Sequence, residues 1–313
     1  NGDLIELMNI SNAAHNSLTT RIKLISNMNI AEKRIPQDGR FSQEVNGDKL
    51  DIRVSSLPTV NGEKLVMRIL SAGGAALRKV TELGMTDYNY KMYEKMLKCP
   101  HGLILVTGPT GSGKTTTLYS SLEEVAEPDV NVVTVEDPVE KRIDGINQVQ
   151  INNKSGMTFA AALRSILRQD PDIIMIGEMR DEETAEIGIR AAITGHLVFS
   201  TLHTNDAAST ITRLIDMGVP AYMAASSLIG VVAQRLVKIL CGKCKIKRMT
   251  SAEENELLGI NKSIEVYDAC GCSECSNTGY KGRTAIHEII HCTGSIKEII
   301  VNGADKELIE RKA

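Results

Sequence analysis

Between residues 108 and 115 the chain reads Gly108-Pro-Thr-Gly111-Ser-Gly113-Lys114-Thr115. Every fixed position of the phosphate-cradling pattern G-x-x-x-x-G-K-[ST] is filled. Glycines let a backbone turn tightly enough for successive N–H groups to face phosphate oxygens. The helix that follows adds its positive end. A lysine at position 114 reaches the β- and γ-phosphates, and the Thr115 hydroxyl is placed to help hold Mg²⁺. The expected nucleotide contacts are Gly108, Thr110, Gly111, Ser112, Gly113, Lys114, Thr115 and Thr116, with ATP and Mg²⁺ as ligands.

Cleavage of a bound triphosphate also needs a group that orients water and a second acid near the metal. Two acidic segments follow apolar runs: Val135-Glu136-Asp137-Pro138-Val139-Glu140 and Asp172-Ile-Ile-Met-Ile-Gly177-Glu178. Active sites of open α/β sheets lie at such strand ends, so Glu136 and Glu178 are the expected catalytic carboxylates. Glu140, Asp170 and Asp172 read equally well as solvated acids. His196 and His203 bracket a further apolar run. His203, at its far end, is a candidate γ-phosphate sensor.

The chain has seven cysteines, and five fall between Cys241 and Cys275. Cys241-Gly-Lys-Cys244 and Cys272-Ser-Glu-Cys275 are two C-x₂-C pairs, the spacing that suits a closed, structural tetrahedral Zn²⁺ site. Cys270 competes with Cys272 for the third position, and Cys272 is preferred because it completes the second pair. Cys99 and Cys292 read as isolated thiols. The odd number and the clustering favour a metal site in a reducing compartment over a disulfide framework.

The elements that must position these groups follow from periodicity. Leu103–Thr107, Val130–Val135, Ile173–Ile176 and Val198–Thr201 are short apolar runs separated by helical patterns. Such alternation implies a parallel sheet with helices on both faces. A helix between Ile176 and Val198 has Asp181, Glu182 and Glu183 at its start and Gly195 past its end, as the helix dipole and C-terminal geometry favour. Leu18, Ile22, Ile25 and Met28 recur at helical spacing, and Leu50–Ser55 and Lys64–Leu70 read as strands around Pro58 and Asn61-Gly62. The expected organisation is a small α+β domain over 1–75 ending in a Ser71–Ala75 linker, an α/β core over 76–240, a cysteine module over 241–277 with a helix at Ser251–Leu258, and a helical segment over 278–313.

Formal charge is −3 and aromatic residues make up 3% with no Trp, which argues against single-strand stacking platforms and against stable nucleic-acid binding. The longest apolar stretch, Ala221–Ala233, is too short to span a bilayer, which needs about 20 residues. Any membrane association is expected to be peripheral. The chain opens Asn1-Gly2-Asp3 without an initiator Met, and reads as an internal fragment.

Four boxes in order carry a family resemblance: the phosphate loop, Thr134-Val-Glu-Asp-Pro-Val-Glu140, Arg168-Gln-Asp-Pro-Asp-Ile-Ile-Met-Ile-Gly-Glu-Met-Arg-Asp181, and Thr194-Gly-His-Leu-Val-Phe-Ser-Thr-Leu-His-Thr-Asn205. The chain resembles the secretion ATPase superfamily, the motors of type II secretion, type IV pili and competence pseudopili. The resemblance implies a RecA-like ATPase core, ATP hydrolysis that powers pseudopilus or pilus assembly, a homo-hexamer, an inner-membrane platform protein as partner, and a place at the cytoplasmic face of the bacterial inner membrane. It implies Glu136 as water activator in an aspartate box, Glu178 as the Walker B acid, and His196 and His203 as a histidine box. It also implies that arginines of the small domain reach the phosphates, with Arg40 and Arg53 favoured over the surface role usual for Arg. Arg164, Arg168 and Arg180 are candidates for subunit contacts. The tetracysteine module is similar to that of assembly-type motors. The family's large N-terminal module is missing, and the C-terminal end looks truncated. A nucleic-acid-translocating ATPase and a nucleotide-gated scaffold are the competing functional classes.

Overall fold

The computed structural model describes residues 6–45, 47–71 and 78–313. Residues 72–75 of the expected linker lie outside the described residues. The chain divides into two compact units. The first reaches to Ala76 and takes in Glu140–Arg142, and the second runs over Leu77–Val139 and Ile143–Ala313.

In the first unit, helix α1 (Asn12–Ile25) precedes strands β1 (Gln37–Val45), β2 (Asp48–Thr59) and β3 (Gly62–Ser71). These pair antiparallel in the order β1-β2-β3. Ile22, Met28 and Val54 form the core, with Phe41, Ile52 and Leu65 packed against it. Lys23 is 1% exposed and donates to Glu63 Oε1 at 2.7 Å and to the Glu32 carbonyl at 2.6 Å, while Ser56 Oγ also donates to Glu63. A buried charge pair persists where hydrogen bonds satisfy both partners, and this one fastens α1 to β3. Strand β1 was not legible in the sequence, because Phe41 and Val45 are its only large apolar residues and no clear alternation results.

The second unit opens with α2 (Asp87–Leu97), β4 (Gly102–Thr107), α3 (Lys114–Val125), β5 (Val132–Glu136), β6 (Asn147–Gln150) and α4 (Phe159–Ile166). It continues with β7 (Ile173–Ile176), α5 (Glu182–Ile193), β8 (Leu197–Leu202), α6 (Ala207–Asp216), α7 (Ala221–Ser227) and β9 (Leu228–Leu240). Then come β10 (Ile246–Met249), α8 (Ala252–Leu258), β11 (Glu265–Asp268), β12 (Tyr280–His291), α9 (Gly294–Val301) and α10 (Lys306–Lys312).

A seven-stranded sheet runs β12-β9-β4-β8-β7-β5-β6. All its pairs are parallel except β12 with β9. Strand alternation sends Ile104 and Val106 to one face, with Tyr93, Met96, Leu118 and Leu122 of α2 and α3. Leu103 and Leu105 go to the other, with Leu163, Ile189, Ile211, Ala224 and Ile296 of α4, α5, α6, α7 and α9. A strand buried on both faces reads as an unbroken apolar run, which is why β4, β7 and β8 were visible in the sequence. The Asp181 side chain accepts from Thr184 N to start α5, and Gly195 past its end has φ +120°.

One expectation changes, and one apolar stretch divides. The segment after residue 278 is not wholly helical: β12 opens it and pairs along β9 from Tyr280↔Leu240 to His291↔Gly230. The apolar stretch from Ala221 is half helix and half strand, α7 turning into β9 at Leu228. In both places the β-branched residues beyond the turn (Ile229, Val231 and Val232; Thr284, Ile286 and Ile289) favour strand.

Candidate nucleotide site and metal centre

Strand β4 ends at Thr107 and hands the chain to the phosphate loop, whose last glycine, Gly113, has φ +92° and precedes α3. A side chain at Gly108 would lie 2.3 Å from the Gln234 carbonyl oxygen, so glycine there allows the loop to lie directly against β9. The Lys114 ammonium donates to the carbonyls of Gly108 at 2.8 Å and Pro109 at 3.3 Å. Burial draws its pKa down, while the charge of Glu178 opposes the shift.

Glu178, just past β7, is the carboxylate that meets this lysine's field. Its Oε1 accepts from Arg180 at 2.6 Å and its Oε2 lies 3.4 Å from His203 Nε2. Burial raises its pKa, but the Arg180 hydrogen bond and charge and the nearby His203 outweigh that and hold it below the usual carboxylate range. The ends of β4, β7 and β8 therefore bring Lys114, Glu178 and His203 to one edge of the sheet.

The other expected groups are distributed differently. Glu136, at the end of β5, is 3% exposed. Its carboxylate accepts from the Tyr119 hydroxyl, from Thr134 Oγ1 at 2.6 Å and from Gln148 Nε2 at 3.1 Å. Glu140, four residues on, is exposed. His196 stands at the start of β8, with Nδ1 2.9 Å from the Ala191 carbonyl. Seven residues of strand, about 23 Å at 3.3 Å each, separate it from His203. Asp172 and Asp170 precede β7, at the edge opposite Glu178, and Asp172 Oδ2 accepts from Asn131 N at 2.7 Å. Arg164 pairs with Glu183 at 2.5 Å, and Arg168 donates to the Arg164 carbonyl at 2.6 Å.

Gln234 was not anticipated. It is 2% exposed on β9, donates to the Ser112 carbonyl at 2.8 Å and accepts from Thr117 Oγ1 at 2.8 Å. One amide thus bridges the phosphate loop and the first turn of α3. The sequence signal was faint: a polar residue ending the long apolar run.

In the first unit the strand register places Arg40 opposite Arg53 and Arg53 opposite Arg68. All three line an open cleft of about 530 Å³ with Asp38, Ser55 and Val66. Arg40 pairs with Asp51. Arg53 is partnered as well, so the repulsion expected of like charges directly opposite in a sheet is partly offset. Arg68 was missed because this alignment exists only once the strands are paired.

The cysteine segment converges from two turns. Cys241, Cys244, Cys272 and Cys275 hold their sulfurs within 4.8 Å of one another. Cys241 to Cys272 is 3.9 Å, and Cys244 to Cys275 and Cys272 to Cys275 are each 3.8 Å. A tetrahedron with Zn–S bonds of about 2.3 Å has edges of about 3.8 Å, so the set fits Zn²⁺ and is far from disulfide distance. Burial opposes ionisation of Cys275, yet the N–H groups of Cys272 and Gly279 and the neighbouring thiols bring its pKa to about 6. Cys270 is exposed and outside the cluster.

Among the described residues no helix is long and apolar enough to cross a membrane. The chain is 47% identical over 312 residues to a protein of Vibrio cholerae serotype O1 named type II secretion system ATPase E, covering 99% of this chain and 62% of that protein. It is 46% identical over 319 residues to a type IV pilus assembly ATPase, PilB, of Myxococcus xanthus, covering all of this chain and 56% of that protein. The chain thus spans about three-fifths of the length of the curated relatives it matches. Among solved structures it resembles the pilus retraction motor PilT with bound ADP, at TM-score 0.63 and 29% identity over 88% of this chain and 69% of that one. With the family model for type II/IV secretion system proteins matching residues 1–313, this chain belongs to that family.

Proposed function

We propose that the chain is the ATP-hydrolysing part of a motor that powers assembly of a type II secretion pseudopilus or a type IV pilus. It works as a homo-hexamer, bound to a platform protein at the cytoplasmic face of the inner membrane. The observation that carries this reading is the meeting of Lys114, Glu178 and His203 at the mouth of the phosphate loop.

The loop's N–H groups and Lys114 bind the β- and γ-phosphates. Mg²⁺, held at Thr115 and near Glu178, supplies charge neutralisation when bound. Water attacks the γ-phosphorus, the bond from that phosphorus to the bridging oxygen breaks, ADP departs, and the water's proton passes to a carboxylate. Glu136 is poorly suited to take it, because three donors already occupy its carboxylate. Its carboxylate ties β5 to α3 and β6. Glu140, the other glutamate of the box, is exposed though itself partnered, and we assign the water to it. The arginine row of Arg40, Arg53 and Arg68 supplies positive charge to the phosphates, as a guanidinium does when charge develops on a departing phosphoryl group. Zn²⁺ at the four cysteines is structural.

Nucleotide binding and turnover measured separately test this. Lys114→Ala abolishes binding. Glu178→Gln and Glu140→Gln bind ATP and do not turn it over. Wild-type turnover in Lys114→Ala and Glu178→Gln would refute the site, whereas wild-type turnover in Glu140→Gln alone would return the water to Glu136.

A further inference from the structure

We propose that Thr204 is a positioning residue that holds the His203 turn against the strand carrying the phosphate loop; this rests on the site reading just given. The parallel ladder between β4 and β8 ends at Thr107↔Leu202. Beyond that rung no backbone partner is left for residue 204, and the Thr107 side chain takes over. Its hydroxyl donates to the Leu202 carbonyl at 3.0 Å and accepts from Thr204 N at 3.0 Å. The side chain thus continues the sheet pairing by one step. Thr107 is fully buried and immediately precedes Gly108.

The Thr204 hydroxyl completes the fastening. It lies 2.6 Å from Thr107 Oγ1 and 2.6 Å from Thr210 Oγ1 on α6. Thr210 Oγ1 is in turn 2.9 Å from the Asp206 carbonyl. With one proton per hydroxyl, three of these four contacts can be hydrogen bonds at once: when Thr210 donates to Thr204, Thr204 to Thr107 and Thr107 to the Leu202 carbonyl, Thr210 has no proton left for the Asp206 carbonyl. Aligned hydroxyls of this kind strengthen one another. The residues flanking His203 are therefore held on both sides, Leu202 by the ladder and Thr204 by two hydroxyls. The imidazole itself is 54% exposed and makes its contact with Glu178, so its aim depends on the backbone beneath it.

Thr204→Val removes the central hydroxyl and keeps the shape. It leaves no buried polar group stranded: Thr107 still donates to the Leu202 carbonyl and accepts from Thr204 N, and the Thr210 hydroxyl turns its proton to the Asp206 carbonyl. The fold should survive, as far-UV circular dichroism, zinc content and ADP affinity would report. Turnover should fall by about ten- to a hundredfold, the scale of a displaced catalytic group, and Thr204→Ser should restore it to within about threefold of wild type.

A cycle with His203→Gln separates positioning from mere structure. If Thr204 acts through His203, Thr204→Val costs little further turnover once His203 is gone, whereas independent effects multiply. A costly His203→Gln combined with a fully multiplicative Thr204→Val would overturn the positioning role alone, as would failure of Ser to rescue. Wild-type turnover in His203→Gln would overturn the site reading, and the positioning role with it.

Discussion

Replacing Gln234 by Met tests whether the phosphate loop is held in shape from outside. Methionine nearly matches glutamine in volume, so the cavity contribution is small. What is lost is the bridge at 2.8 Å to the Ser112 carbonyl and at 2.8 Å from Thr117 Oγ1. Each buried hydrogen bond contributes about 1 kcal/mol net, and a stranded partner costs about 1–3 kcal/mol. The two together give a loss of about 2–4 kcal/mol. At about 2–4 °C per kcal/mol for a unit of this size, the melting temperature should fall by about 4–16 °C.

Nucleotide affinity should fall as well, because a ligand binds only the fraction of molecules whose loop is competent. If about half of the loss falls on the loop, affinity drops by about five- to thirtyfold at 1.4 kcal/mol per decade. Gln234→Glu keeps the acceptor for Thr117 but presents no donor to Ser112 and adds negative charge beside the phosphates, so it should bind ADP more weakly than the Met variant. Titration with a fluorescent ADP, with melting curves at saturating nucleotide and without it, measures both effects. A Met variant that melts early but binds ADP at wild-type affinity would show that the glycines shape the loop unaided and that Gln234 only packs.

Purified protein should carry about one Zn²⁺ per chain; elemental analysis should find it lost in Cys272→Ser and kept in Cys270→Ser. Lys23→Met should destabilise the first unit by about 3–5 kcal/mol, because Glu63 stays buried without its partner; chemical denaturation reads this. Burial raises the Glu63 pKa, but Lys23 and Ser56 hold it below its ordinary value near 4.5. The pair's stabilisation should therefore be complete above about pH 4.5 and be lost as pH falls through the lower folded-state value, a loss absent from Glu63→Gln. Arg53→Ala and Arg68→Ala, assayed as assembled rings, should each lower kcat by about a hundredfold with little change in ATP binding; full activity in both would make the row a solvated face.

How far the sequence could be read depended on whether the cause of each feature was local. The phosphate loop was visible because glycines, lysine and threonine act within one turn. Strands β4, β7 and β8 showed as short apolar runs because both of their faces are buried. The four clustered cysteines showed because each turn carries a single C-x₂-C. By contrast, the bridge from Gln234 spans 122 residues to Ser112, and Arg68 acquires its meaning only from the β2–β3 register. The two histidines of one box stand at opposite ends of β8, as the apolar run between them implied. Glu136 reads as catalytic in the sequence because it ends a strand at the correct edge. Its three donors come from α3, β5 and β6, and no local pattern announces them.

Strands β9 and β12 form one antiparallel ribbon whose two ends have different tasks. Near its middle, Gln234 grips the phosphate loop; seven residues on, Cys241 begins the metal knot, which returns to β12 by way of Cys275. That distance is about 23 Å of extended chain. A paired ribbon resists stretching along its strands, and the four sulfurs keep its outer end from splaying. The ribbon is therefore a stiff arm clamped at both ends. A tilt of β9 at the loop would be carried outward along the arm to the four-cysteine module.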